Sequence, residues 1–276
     1  MVRVPDRPAP ERDPNEPPAG RPPATQVPRR WAGRPLAETR WLLEYWRLWV
    51  DPALYGVGLP SGDGRAVLLL PGFLAGDQTM SVMAAWLRGL GYRPHFGRFV
   101  VNVDCSDRTI DRLERRAEEL HASSGRRIAL LGHSRGGHFA RALAARRPDL
   151  VSHAISMGSD LQAMFGISTP TRAAVGIARR SMSALRRTND PDCFRRGCHC
   201  GFVRDFGRDF PTDEVRLTSL WSRGDGVVHW ERALVPEAEC VEVEGSHVGM
   251  IANRKCYRAV AMALALPELE PDGAAA

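Results

Sequence analysis

Apolar and polar positions change period in regular blocks along most of this chain. "RAVLLLPG" (65–72) is a short apolar run closed by Pro-Gly and predicts a buried strand. "TMSVMAAWLRGLG" (79–91) has helical spacing, with Thr79 as its N-cap and Gly91 just past its end. "RPHFGRFVVN" (93–102) reads as the next strand. In "DRTIDRLERRAEELHASSG" (107–125), Ile110, Leu113, Ala117 and Leu120 share one helix face. "RIALLG" (127–132) predicts a strand, and a helical pattern runs from there to residue 143. "VSHAISMGS" (151–159), "EVRLTSLWS" (214–222) and "CVEVEG" (240–245) predict three more strands. A short connecting helix is expected near 228–234 and a last one in "NRKCYRAVAMALAL" (253–266).

About six strands joined by helical crossovers imply an α/β architecture: a mostly parallel sheet covered by helices on both faces. The rhythm breaks over about 160–214, too long for an ordinary connection, and this stretch is read as an inserted cap. Residues 1–35 are rich in Pro and charge and almost free of large apolar side chains, so a disordered tail is expected, with one domain over 36–276. Between them, "PLAETRWLLEYWRLWVDP" (35–52) predicts a short aromatic helix ended by Pro52. The plainer expectation is that it packs on the sheet in place of missing strands. The alternative is a lipid-contacting rim formed with the cap, since Trp and Tyr suit an oil–water boundary.

Composition removes several function classes. The net charge is +6, but Lys255 is the only lysine and the arginines are spread among acids, so no nucleic-acid partner is expected. No apolar run reaches the length that spans a bilayer. The N-terminus lacks the apolar stretch of a signal peptide, from which a cytoplasmic location is expected. Three of the six cysteines crowd into "CFRRGCHC" (193–200). Free thiols, a cap disulfide and a zinc site on Cys193, Cys198, His199 and Cys200 are the alternatives. The spacing is not that of a standard zinc knuckle, so no metal is assigned.

The chemistry gathers at strand ends, where open α/β sheets bind ligands. Gly132-His133-Ser134-Arg135-Gly136 joins a buried strand to a helix. Small residues two places either side of Ser134 let the chain turn sharply and hold the hydroxyl proud of the sheet, a nucleophile elbow. "PGFLAGD" (71–77) could turn backbone N–H groups into a pocket, and the N–H groups of Phe73 and Arg135 are the expected oxyanion donors. Asp225, in Arg223-Gly224-Asp225-Gly226, and His247, after "CVEVEG", supply an acid and a base. Singly, each is a turn residue or an incidental loop histidine. The order Ser134, Asp225, His247, each following a strand, is far more specific than any one of them. Asp160 is the alternate acid. His133 is set aside as the base because its strand position points it away from Ser134.

Together, "GHSRGG" (132–137), "SRGDGVV" (222–228) and "GSHVGM" (245–250) resemble the bacterial lipase/esterase lineage of the α/β-hydrolase superfamily, over about residues 65–266. The resemblance implies an α/β-hydrolase fold and an acyl-enzyme mechanism without cofactor or metal. It points to a carboxylic ester hydrolase acting on lipid-like acyl esters, to which the aromatic helix adds the expectation of transient contact to a lipid surface. An acyltransferase using the same acyl-enzyme and an inactive lipid-binding module are the alternatives. Two departures stand out. The first strands of larger relatives are not evident before residue 66, and the oxyanion loop reads "PGF" where many relatives have "HGF" or "HGL".

Overall fold

The computed structural model describes residues 33, 35–164, 167–186 and 200–269. Six strands form one sheet: β1 (Ala66–Leu70), β2 (Arg93–Phe96), β3 (Ile128–His133), β4 (Val151–Met157), β5 (Arg216–Trp221) and β6 (Glu239–Glu242). Their order across the sheet is β2-β1-β3-β4-β5-β6, and every neighbouring pair is parallel. β1, β3 and β4 are buried along their whole length.

Their unbroken apolar runs follow from a sheet covered on both sides. Leu68, Leu70, Ile128, Leu130 and Ala154 face one core with α3 (Ser106–Ser124), α4 (Arg135–Arg146) and α6 (Gly201–Gly207). Val67, Leu69, Ala129, Leu131 and Ile155 face the other with α2 (Ser81–Gly89) and α7 (Arg254–Ala265).

Two local expectations are corrected. The strand foreseen over 93–102 ends at Phe96, because Arg98 takes a left-handed φ of 62° and turns the chain. Residues 99–102 then run beside the 71–77 loop: Phe99 N donates to Asp77 Oδ2 at 2.9 Å and Asn102 N to the Ala75 carbonyl at 2.8 Å. Thr79 does not cap α2. A 3₁₀ turn, Asp77–Met80, precedes that helix, and the Thr79 hydroxyl donates to the Gly76 carbonyl at 2.8 Å inside it.

The 160–214 stretch has two described parts. α6 packs on α3 and α4, with Phe202 and Phe206 in the core. The wholly buried Arg141 of α4 fastens α6: its guanidinium meets the Phe206 carbonyl, Glu237 at 2.8 Å and the Phe206 ring. α5 (Thr169–Arg186) instead borders a cavity at the carboxyl end of the sheet. The 1–35 tail expectation falls almost wholly outside the described residues, as do Cys193, Cys198 and His199. Among the described residues, Cys240 and Cys256 are free thiols.

The aromatic helix does form: a 3₁₀ segment, Pro35–Arg40, runs into α1 (Trp41–Trp49). Through Leu48, with Tyr45 beside it, the helix joins the core on one face of the sheet. Its main neighbour is the 3₁₀ turn Val248–Ala252 that follows His247. α1 buries Glu44 and Leu48 and turns Trp41, Leu42, Leu43, Trp46 and Trp49 outward. No described helix is long and apolar enough to cross a membrane.

Candidate active site

Ser134 ends β3 and starts α4 with φ 52° and ψ −119°. Such a backbone costs a non-glycine residue about 1–3 kcal/mol and persists only where packing dictates it. The glycines around it supply that packing. A side chain on Gly132 would collide with the Gly136 carbonyl, and one on Gly136 with the Leu70 carbonyl of β1. The elbow is therefore jammed against the neighbouring strand. The Ser134 carbonyl accepts from Ser159 Oγ at 2.7 Å, and its N–H donates to the Met157 carbonyl at 2.8 Å.

Asp225 and His247 meet in the loops after β5 and β6. His247 Nδ1–H donates to Asp225 Oδ2 at 2.7 Å, with both side chains almost fully buried. The other oxygen, Oδ1, accepts from Val227 N at 2.8 Å and Val228 N at 2.7 Å. These bonds hold the carboxylate and fix the imidazole tautomer, leaving Nε2 to exchange a proton. Burial alone would lower the His247 pKa. The charge and hydrogen bond of Asp225, with the charge of Glu38, outweigh it and hold the pKa above the ordinary histidine value. Gly158, at φ 63°, passes directly beneath the pair: a Cβ there would stand 3.2 Å from both Asp225 Oδ2 and His247 Nδ1.

Ser134 and His247 border one cavity of about 720 Å³, within the range of about 300–1,000 Å³ common for small-molecule sites. Phe73 and Arg135, the two expected oxyanion donors, border it too. The rest of its wall is mostly apolar, including Leu74, Met164, Ile167, Val175 and Ile251. An antiparallel bridge, Ile167 to Val228, ties the segment leading into α5 to the loop of Asp225.

Asp160 is spent elsewhere: its Oδ1 accepts from Gln162 N at 3.0 Å and Ala163 N at 2.9 Å, shaping the turn after β4. His133 borders the same cavity. Its ring lies 4.9 Å from that of His247, and its Nε2–H donates to the His247 carbonyl at 2.9 Å. Burial and the neighbouring His247 hold its pKa down at about 3, so it stays neutral and serves as a prop.

Sequence reasoning missed two further supports. Asn102 Nδ2 donates to the Pro71 carbonyl at 2.8 Å, and the Asn102 carbonyl accepts from Leu74 N at 3.2 Å, bracing the loop that carries Phe73. The Arg135 guanidinium binds Asn102 Oδ1 at 2.9 Å and lies over the Phe139 ring. The second support is the pair of carboxylates, Glu38 and Glu44, behind the His247 loop. Neither set sits in a motif. Only the buried Glu44, at helical spacing among aromatics, left a trace in the pattern.

Comparison with known proteins fits this geometry. A family model described as the alpha/beta hydrolase fold matches residues 87–199, a span that holds Ser134 but neither Asp225 nor His247. The mature form of lipase BlEst2 from Bacillus licheniformis superimposes with a TM-score of 0.56 at 15% identity, over 76% of this chain and 96% of that one. Lipase B of Aspergillus fumigatus gives 0.53 at 15% identity, over 76% of this chain and 55% of the lipase. A comparison with curated proteins found no match. The order of the sheet, the strained turn at Ser134 and these superpositions agree that this chain is built on the α/β-hydrolase fold.

Proposed function

We propose that the protein is a serine hydrolase of carboxylic esters with an apolar acyl group. The observation that carries this reading is the meeting of three features on one apolar cavity: a serine on a strained elbow, a buried Asp–His pair and a loop at Phe73. In the proposed reaction, Ser134 Oγ attacks the ester carbonyl while His247 Nε2 takes its proton. The N–H groups of Phe73 and Arg135 receive the developing oxyanion. His247 returns the proton to the departing alcohol, leaving an acyl group on Ser134. Water then repeats the sequence, releasing the acid and free serine. Asp225 keeps the imidazole oriented and stabilises its charged form. Each step uses side chains and backbone groups of this chain, with no cofactor assigned.

The apolar wall favours an acyl chain over a polar substituent, because buried polar groups without partners are costly. The outward tryptophans of α1 suit a lipid–water boundary, so a transient lipid-surface contact belongs to the proposal.

The test is labelling with a fluorescent phosphonate, followed by hydrolysis of p-nitrophenyl esters of graded chain length. Wild type should label and Ser134→Ala should not, with hydrolysis lost and the fold kept. Equal labelling of both proteins would place the nucleophile elsewhere. Product analysis with an added alcohol separates hydrolysis from acyl transfer.

A further inference from the structure

The N-terminal segment touches the site from behind, and it does so with charge. We propose that Glu38 is a positioning residue: its carboxylate fastens the acid loop to the base loop and so fixes where Asp225 meets the His247 imidazole. This rests on the serine-hydrolase reading above.

Three backbone donors converge on that one side chain. Glu38 Oε1 accepts from Gly226 N at 2.9 Å and from His247 N at 3.0 Å, and Oε2 accepts from Val248 N at 2.9 Å. Gly226 directly follows the acid, and His247 is the base itself. The carboxylate therefore bridges the backbones of the two residues' loops alongside their own 2.7 Å contact. Those loops leave different strands, β5 and β6. Besides the Asp225–His247 bond, Ser222 Oγ donating to the Gly245 carbonyl at 2.7 Å also joins them, but nearer the sheet. Glu38 acts at the distal end, where a small rotation would swing the imidazole farthest.

Glu44, two helical turns on, completes the hold. Its Oε1 accepts from Ser246 N at 2.9 Å and its Oε2 from Ser246 Oγ at 3.3 Å. A Cβ on Gly249 would collide with that carboxylate, and one on Gly245 would stand 3.0 Å from it. The two glycines of "GSHVGM" thus leave room for a side chain that comes from far earlier in the chain.

The arrangement also sets charge. The groups facing His247 are Asp225 from the acid loop, Glu38 from the N-terminal segment, His133 from β3 and, through Ser246, Glu44 from α1. Glu38 and Asp225 favour the imidazolium, which is the form the proposed reaction passes through.

Glu38→Ala and Glu38→Gln separate positioning from mere stabilisation. A shift of about 1 Å at a reacting group can cost on the order of 10²-fold in rate, and Glu38→Ala should lower kcat by about that factor with KM for p-nitrophenyl butyrate little changed. Glu38→Gln keeps an oxygen for Gly226 and His247, so it should recover most of kcat. It loses the charge, so the acid limb of kcat/KM should move to lower pH. In protein carrying ¹⁵N-histidine, the His247 ring should titrate at lower pH in both variants. Its Nδ1–H resonance should weaken in Glu38→Ala alone.

Wild-type kcat and an unmoved His247 titration in both variants would overturn the proposal. So would a fall in melting temperature with kcat per folded molecule unchanged. If Glu38→Ala does not fold, the Glu38→Gln titration decides alone, and an unmoved pKa counts against the proposal. If wild type neither labels with phosphonate nor cleaves esters, the hydrolase reading fails, while the titration still decides whether Glu38 governs His247.

Discussion

Helices α3 and α1 both carry a strong periodic pattern, and they obey it in opposite senses. α3 buries Ile110, Leu113, Ala117 and Leu120 against the sheet and sends its charges outward, with Glu114 meeting Arg146 and Arg147. α1 buries Glu44 and leaves Trp46 70% exposed. The difference lies in what stands opposite. Under α3 is an apolar sheet face, where each buried methylene adds about 0.8 kcal/mol. Under α1 is a loop whose buried Ser246 N–H needs an acceptor, and an unmet buried donor costs about 1–3 kcal/mol. The Glu44 carboxylate meets that need better than tryptophan could. A helix turns inward whichever face its neighbour can satisfy.

That contrast can be broken from either side. The largest effect on stability should come from Leu113→Ala in α3, where a fully buried side chain is removed: a loss of about 2–5 kcal/mol in urea unfolding. Phosphonate labelling per folded molecule should not change. Glu44→Ala should cost about 1–3 kcal/mol, because it strands the Ser246 N–H, and should also slow labelling. If Glu44→Ala loses stability but labels at the wild-type rate, α1 is packing alone and the contrast collapses.

Acid should separate activity from stability in order. The proposed base must be neutral, and the His247 pKa is raised, so the acid limb of kcat/KM should lie above the ordinary histidine value of about 6.5. The raised pKa makes the folded state favour the imidazolium, a stabilisation present in full below about pH 6.5 and lost as pH rises through the folded value. His133, His138 and His153 work the other way. Burial holds each at about 3, so their neutral forms stabilise the fold above about pH 6.5, and that contribution drains away as pH falls toward 3. With His95 also lowered by burial, four stand against one, and the urea midpoint should fall between about pH 6.5 and 5, after activity has already declined. A midpoint that rises over that range would contradict the assignment of the buried histidines. The smallest effect belongs to the outer face of α1: Trp46→Ser should change stability by no more than about 0.5 kcal/mol, while reducing binding to anionic phospholipid vesicles. Unaltered vesicle binding would remove the lipid-surface contact from the proposal.

Much of this was legible in the chain. Strand runs such as "AVLLL" and "IALLGH" carried the sheet, because a strand covered on both faces must be apolar at every position. Small residues around Ser134 carried the elbow, because only glycine fits against Gly136 and Leu70 there. The sites of Asp225 and His247 were readable as strand ends. What local pattern could not supply was contact between distant segments. Thr79 looked like a cap, but a 3₁₀ turn took its hydroxyl; "FVVN" looked like strand, but a positive φ at Arg98 folded it beside the Phe73 loop.

Periodicity and spacing thus determined which segments are strands and helices, and which residue types stand at the carboxyl ends. These are properties of near neighbours along the chain, written in every few residues. Only the tertiary structure decided that Asp225, and not Asp160, accepts the hydrogen bond of His247, that His133 props the His247 backbone, and that Glu38 and Glu44 hold its loop. Each of these depends on which polar groups stand opposite one another once the sheet and its loops have packed, a condition that exists only when segments far apart in sequence are brought face to face.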